Sequence, residues 1–419
     1  MAGLAAGLVT IPYLARVLRP EAWGQVLLAQ GLATWLLLLM EYAFDLSVTR
    51  RLAEARGRGG DSHTAASATV PDTVVESVVE SVVETVANAI TARRLLATAA
   101  LLFWGGALLA LPALRSNWKL AASALLFALA RGLTPLWYFL GVERVQRAMA
   151  IDTAARVIGA LSVFFLVSAP THGWRVMAAQ GATATAAMLL VSRDLHRALP
   201  TLRHAPRPLA GGLAVLREGF ALFAARASGS LYMQLNTLLI GAVASPVAVA
   251  MYGGAERLVR AGVSLLEPAT RALVARLSFL HAANAAEAHR LAARLIVGLT
   301  AAAAAAAATG AVAAPWIIRL ILGPEYDAAV PVFRWLVLLL PIIALATSIG
   351  IFSAVPRGHD RIVLLATLSA GVANLLLALP MTRRFGAQGM AGSVVIAEAL
   401  VAAILVVWYR RQRATKAAA

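Results

Sequence analysis

Long windows of this chain contain no charged residue at all. Gln25–Met40, Leu95–Leu114, Val176–Ser192, Leu231–Ala255, Leu295–Ile318, Trp335–Pro356 and Ile362–Thr382 are seven of them. Several exceed the roughly 18–20 residues that cross ~30 Å of hydrocarbon as a helix. Lipid offers the backbone no hydrogen-bond partner, so such windows are predicted to be helical. About twelve spans are predicted, near residues 2–18, 22–44, 94–113, 118–141, 150–169, 174–192, 218–243, 248–273, 292–318, 328–352, 361–381 and 387–409. The expected fold class is all-α: a polytopic membrane protein with two six-helix bundles around a central cavity.

The polar interruptions set the expected organisation. Residues 1–56 and 93–196 form the N-terminal bundle, and residues 217–409 the C-terminal one. Between them, residues 197–216 are rich in Pro, Arg and Gly and read as a cytoplasmic linker. Residues 410–419 are a basic cytoplasmic tail. Residues 57–92 interrupt the scheme as an acidic insert whose "VPDTVVESVVESVVETVANAI" repeats every four residues. It predicts an amphipathic helix lying on the membrane surface or on the protein. The alanine run "AAAAAAAATG" near residue 305 is small enough to pack closely against another helix.

Composition agrees with the pattern. The chain is 60% hydrophobic and only 14% charged, against about 25% charged in soluble domains. There is no cysteine, so disulfides and thiolate metal sites are excluded. The net charge of +17 would suggest nucleic acid in a soluble protein. Here its distribution decides otherwise. With the N-terminus in the cytoplasm, 23 of the 37 basic residues fall in cytoplasmic gaps or the tail, and 8 in the opposite gaps. The positive-inside rule favours that orientation, with both termini cytoplasmic in a bacterial inner membrane. These arginines read as anchors facing an anionic leaflet, and no nucleic-acid partner is expected.

The motifs of catalysis are missing. There is no phosphate-binding loop, no nucleophile elbow, and no paired histidines for zinc among seven scattered ones. The loops on the outer side are mostly short turns. The reading is of a non-enzyme, with no catalytic residues, cofactor or metal.

Chemistry is sought instead in charges inside the spans. Arg131, Arg156, Arg226, Arg257, Arg260 and Arg334 lie there, where a charge at the bilayer centre costs ~2.5–3.5 kcal/mol on insertion scales. At ~1.5 Å per residue, Arg131, Arg226, Arg257 and Glu398 fall near the midplane although they come from four helices. Guanidinium forks match phosphate oxygens. Arg131, Arg226, Arg257 and Arg260, with Gln234 and Asn236, are therefore candidates for binding an anionic head group and its sugar. The rival structural reading pairs each arginine with an intramembrane carboxylate, as the i, i+4 spacing of Glu256 and Arg260 allows. Arg334 lies closer to an outer end and reads as snorkelling. Glu41 and Asp45 share a face at the inner end of the second span. With Glu256 and Glu398 they are candidates for ion coupling or for counter-ions.

Several stretches resemble a known family. "IPYLARVLRPEAWGQVLLAQ" carries Pro12, Leu14-Ala15-Arg16, Leu18, Pro20 and Trp23-Gly24, followed later by Asp45. With "LNTLLIGAVASPVAVAMYGGAERLVR", "LILGPEYDAAVPVFRWL" and "FGAQGMAGSVVIAE", it resembles the polysaccharide and O-antigen flippases of the Wzx type. These belong to the multidrug/oligosaccharidyl-lipid/polysaccharide exporter superfamily. The resemblance covers nearly the whole chain apart from residues 57–92. It implies translocation of an undecaprenyl-pyrophosphate-linked oligosaccharide by alternating access, for surface polysaccharide biosynthesis. Membrane lipids, a coupling proton or sodium ion, and polymerase and chain-length proteins of the same pathway are the implied partners. Asn236 stands where many relatives carry aspartate, which argues against ion coupling at that position. The alternatives are a cation-coupled multidrug exporter of the same superfamily and a membrane-bound polysaccharide polymerase or ligase.

Overall fold

The computed structural model describes the backbone of residues 2–57, 72–110, 112–264 and 283–418, with a few positions between 273 and 280. Side chains 1–8, 56–75, 110–113, 225–234, 285–286 and 413–419 also fall outside the description. The described elements are helices: α1 (Ala2–Glu41), α2 (Phe44–Gly57), α3 (Asp72–Ala110), α4 (Pro112–Arg115), α5 (Trp118–Leu133), α6 (Leu136–Gly141), α7 (Val145–Leu161), α8 (Val163–Leu166), α9 (Gly173–Ala198), α10 (Leu209–Val243), α11 (Pro246–Ser264), α12 (Ala285–Ile321), α13 (Ala329–Leu336), α14 (Leu339–Ile349) and α15 (Asp360–Ala418). Among the described residues, seven helical segments are long and apolar enough to cross a membrane.

Two of those segments are pairs of helices joined by a sharp turn. α1 breaks at Arg19, whose φ of 60° and ψ of 168° are far from helical. Pro20 disfavours the α-region at the residue before it, so the break falls where the sequence predicts a turn. α15 breaks at Gly386, with φ 56°, a value that glycine adopts without a Cβ clash. The two arms of α15 then cross so closely that a Cβ on Gly389 would overlap the Met381 carbonyl.

Compact packing divides the chain into two units. The first comprises Met1–Thr10 and Ala29–Leu231, the second Ile11–Leu28 and Tyr232–Ala419.

In the first unit, α9 packs along α5 and α7. Small residues allow it: Ala121, Ala124 and Ala128 on α5 and Gly181, Ala184 and Ala187 on α9 are all buried. The acidic repeat packs as a helix on the protein. It runs without a break into the third span as α3. Its Val82, Val83, Val86, Ala87 and Ala89 are buried in one core with Phe44, Val48 and Leu52 of α2 and Trp137 of α6. The four-residue period puts Val82, Val83 and Val86 on that face, and Glu80 and Glu84 are exposed.

In the second unit, Ile349, Phe352, Ala366, Ala370, Ala397 and Val401 form the core, with Ala292 and Ile296 of α12 against them. The alanine run of α12 packs by one edge only, since Ala303 and Ala307 are buried while Ala304, Ala305 and Ala306 are exposed. Residues 11–28 are sealed to this unit by several contacts. Tyr326 donates from its hydroxyl to the Ala15 carbonyl at 3.1 Å, and Arg16 donates to the Leu320 carbonyl. Arg19 sits 3.7 Å from Glu325. Gly24 lies so close to Pro246 that a Cβ would overlap the proline carbonyl. Beside this seam, in the turn after α12, Asp327 accepts two hydrogen bonds from Arg319 at 2.8 and 2.7 Å. Those bonds hold the Asp327 carboxyl below its ordinary pKa.

Candidate functional site

The break between α5 and α6 builds the first polar site. Pro135 has no N–H to give the helix, and Leu136 N–H turns to the Thr134 carbonyl at 3.0 Å. The Gly132 carbonyl thereby loses its helical partner. Arg93 of α3 supplies one, donating from Nη1 to Gly132 O at 2.6 Å and to Thr134 O at 2.8 Å. Its guanidinium also lies over the rings of Phe44 and Trp137, at 5.2 and 5.7 Å. Arg93 is 7% exposed. Its place in the sequence, beside Arg94 at the start of a span, reads as an interfacial anchor. The structure corrects that reading: Arg93 is an internal brace, and Arg94 alone faces out.

One turn before the break, Arg131 points at α7. Its Nη1 is 3.0 Å from Asp152 Oδ1, while Arg156 Nε donates to Asp152 Oδ2 at 2.8 Å. Two guanidiniums thus share one carboxylate, leaving a formal charge of +1. Arg131 and Asp152 are nearly buried, with side chains 10% and 11% exposed, whereas Arg156 is 51% exposed. A cavity of about 180 Å³ opens beside them, lined also by Phe127 and by Gln180 and Thr183 of α9. Gly159, in its wall, leaves no room for a Cβ against Thr183. Arg131 lies ~20 Å along α5 from Trp118, and Asp152 ~10 Å along α7 from Val145. The two distances place the cluster inside the ~30 Å hydrocarbon layer.

The second unit carries another polar cavity, of about 50 Å³, lined by Asn236, Glu256, Arg260 and Glu398 among aliphatic side chains. Arg260 pairs with Glu256 four residues earlier, Nη2 to Oε1 at 2.7 Å, and the Tyr252 hydroxyl donates to the same oxygen at 3.2 Å. Asn236, fully buried, accepts from Asn374 Nδ2 at 2.7 Å, and Ser393 donates to Asn374 Oδ1 at 3.4 Å. Among the described lining residues, two carboxylates and one guanidinium meet here.

The residues named from sequence are distributed over both units. Asn236, Glu256, Arg260 and Glu398 come together in the second unit, and Arg131 lies in the first. Arg257 is on α11 with its guanidinium 5.2 Å above the buried Trp23 ring, which suits a cation–π contact. Glu41 closes α1 and Asp45 opens α2. Between them Tyr42 and Ala43 have φ of 42° and 54°, so the two acids do not share a helical face. The break is held by Tyr42, which stacks on Phe223 at 4.5 Å and donates to the Leu216 carbonyl. Glu41 and Asp45 lie within electrostatic reach of Arg93. The side chains of Arg226 and Gln234 lie outside the described residues. Arg334 donates to the Ala311 carbonyl at 3.1 Å.

Sequence reasoning missed Asp152, Gln180 and Thr183. The i, i+4 spacing of Asp152 and Arg156 was a visible signal. Gln180 and Thr183 give none, because isolated neutral polar residues are common in apolar helices.

Seven helical segments of bilayer length among the described residues, with charged clusters between them, are those of a multi-pass membrane protein. The chain belongs to the family described as "Polysaccharide biosynthesis protein", which matches residues 1–281. Two proteins named "Putative O-antigen transporter" are similar over almost their full lengths. The one from Shigella dysenteriae is 24% identical, covering 94% of this chain and 93% of the relative. The one from Escherichia coli (strain K12) is 23% identical, covering 97% and 93%. Among solved structures, the lipid II flippase MurJ in an inward closed conformation superposes with a TM-score of 0.70 at 11% identity, covering 97% of this chain and 86% of that one. A MATE structure in complex with MaD3S gives 0.50 at 14% identity, with 99% and 93% covered. The fold is that of the multidrug/oligosaccharidyl-lipid/polysaccharide exporter superfamily, and the chain is a membrane transporter of polysaccharide biosynthesis.

Proposed function

We propose that this transporter moves undecaprenyl-pyrophosphate-linked oligosaccharide repeat units from the cytoplasmic to the outer leaflet of the bacterial inner membrane by alternating access, with about twelve spans and both termini in the cytoplasm. The observation that carries the reading is the Arg131–Asp152–Arg156 cluster, a surplus positive charge opening onto a cavity at mid-membrane depth. A diphosphate is the part of such a substrate that hydrocarbon rejects most strongly, and guanidinium forks are suited to it. Arg226, Arg257, Arg260, Gln234 and Asn236 are the further residues assigned to substrate. Glu256 and Glu398 are assigned to a coupling proton or sodium ion, because both carboxylates line one cavity within the membrane-spanning helices. Glu41 and Asp45 act as counter-ions to Arg93 and its surroundings. Polymerase and chain-length proteins of the pathway are the proposed partners.

A strain lacking the gene should accumulate undecaprenyl-linked repeat units on the cytoplasmic face. Complementation with Arg131→Ala or Arg156→Ala should leave that block in place at normal protein level. Normal surface polysaccharide in both variants would sink the site. Normal surface polysaccharide in the deletion strain would sink the function.

A further inference from the structure

One face of α9 changes character along its length. Ala182, Ala186, Leu189 and Leu190 are exposed, and the next exposed positions on the same face are Arg193 and Arg197. Leu189 and Leu190 are 60% and 48% exposed. Beyond α9, the short 3-10 turn Pro200–Arg203 brings Arg203 back towards them. A groove of about 590 Å³ results, lined by Leu189, Ser192, Arg193, His196, Arg197 and Arg203.

The charge in this groove is uncompensated. Asp194 is the one carboxylate on this turn of α9, and it is engaged elsewhere, 3.0 Å from Arg147 Nε and 17% exposed. Arg193, Arg197 and Arg203 form no ion pair or hydrogen bond among the described residues. Arginines such as Arg50 and Arg51 do find carboxylates, on Glu54 and Glu218. His196 donates from Nδ1 to the Ser192 carbonyl at 2.7 Å, which leaves Nε2 for a ligand.

Depth then selects the ligand. α9 starts at Gly173, beside Trp174. At 1.5 Å per residue, Leu189 lies ~24 Å along the helix, Arg193 ~30 Å and Arg197 ~36 Å. A hydrocarbon layer of ~30 Å that begins at Gly173 therefore holds the leucines and ends at Arg193, which leaves Arg197 at phosphate level. We propose that this groove binds the phosphate of an anionic phospholipid, whose acyl chains lie along Leu190, Leu189 and Ala186. Basic pockets at the membrane boundary select such head groups. A zwitterionic lipid brings its own ammonium and neutralises less of the groove. The proposal needs only that the chain spans a membrane. It is independent of which substrate is transported.

The test uses the full-length protein in neutral detergent, titrated separately with phosphatidylglycerol, phosphatidylethanolamine, inorganic phosphate and undecaprenyl diphosphate. Bound lipid is counted by native mass spectrometry and stabilisation is read by thermal unfolding. Phosphatidylglycerol should remain bound and raise the unfolding temperature, while phosphatidylethanolamine and inorganic phosphate should do neither. Arg197→Gln and Arg203→Gln should each weaken phosphatidylglycerol binding about fivefold, and the double variant about 25-fold. Arg383→Gln with Arg384→Gln, in the turn of α15, should leave it unchanged. Both groove arginines are exposed, and if the double variant unfolds, the single variants give the same reading. Unaltered phosphatidylglycerol affinity in the groove variants would overturn the proposal. So would equal binding of phosphatidylethanolamine, or groove-dependent binding of undecaprenyl diphosphate without phosphatidylglycerol.

Discussion

Arg131 Nη1 lies 3.0 Å from Asp152 Oδ1, and the other oxygen of that carboxylate is taken by Arg156 at 2.8 Å. The three charges are not equivalent. Among the described residues, Asp152 is the carboxylate that the nearly buried Arg131 bonds, with Glu41 acting on it from further away.

Asp152→Asn should therefore destabilise the protein more than Arg131→Ala does. The first leaves a buried guanidinium without its counter-ion, which costs about 3–5 kcal/mol. The second leaves Asp152 still bonded to Arg156. Thermal unfolding of the two purified variants makes the comparison, and equal midpoints would show that Arg131 finds another partner.

Arg93 and Arg94 are adjacent but should behave differently. Arg93→Ala strands the Gly132 and Thr134 carbonyls in a buried site, at about 1–3 kcal/mol for each unsatisfied group. Arg94 is exposed, and Arg94→Ala should stay within about 0.5 kcal/mol of wild type. Expression level and unfolding midpoint report both. A harmless Arg93→Ala would mean that the carbonyls at the helix break are hydrated.

Gly24→Ala should prevent residues 11–28 from seating, because the added Cβ overlaps backbone at Pro246 that cannot rotate away. Gly105 and Gly298 have nothing within 4 Å of a Cβ. Alanine at those helical positions should be neutral or stabilising, by up to about 1 kcal/mol. Detergent-solubilised yield and thermal stability of the three variants separate the cases.

Asn236→Ala removes the acceptor of the buried Asn374 amide and should cost about 1–3 kcal/mol. Asn236→Asp keeps an acceptor at the same place and should retain more of that stability. Should Asn236→Asp prove the less stable of the two, the desolvation of its charge outweighs the hydrogen bond.

Stability should also fall in acid through Asp327. Its folded pKa lies below the ordinary value of 3.8 because Arg319 bonds the ionised form. A depressed carboxylate contributes its full stabilisation above the ordinary value and loses it as the pH drops through the folded one. The difference in unfolding midpoint between wild type and Asp327→Asn should be constant from pH 7 to about 5 and narrow below about 4. The pair is exposed, so the difference is small. A gap that persists to pH 2 would show that Asp327 acts through packing rather than charge.

The sequence alone determined what depends on neighbours a few residues apart. Hydrocarbon forces every backbone group into a local hydrogen bond, so apolar length and the positions of Pro20 and Gly386 are enough to locate helices and their turns. The pairing of Glu256 with Arg260 was readable for the same reason, since one helical turn brings them together. Tertiary structure decided the rest. Asp152 reaches Arg131 across 21 residues of chain and Asn236 reaches Asn374 across 138. No periodicity encodes either meeting, because it depends on which helix faces pack. Arg93 reads as a surface anchor until the break at Pro135 leaves a carbonyl for it to serve. Glu41 and Asp45 share a face in an ideal helix, but Tyr42, stacked on Phe223, ends that helix between them. Local rules place the helices. Only their packing decides which buried charge finds a partner and which one is left facing a cavity.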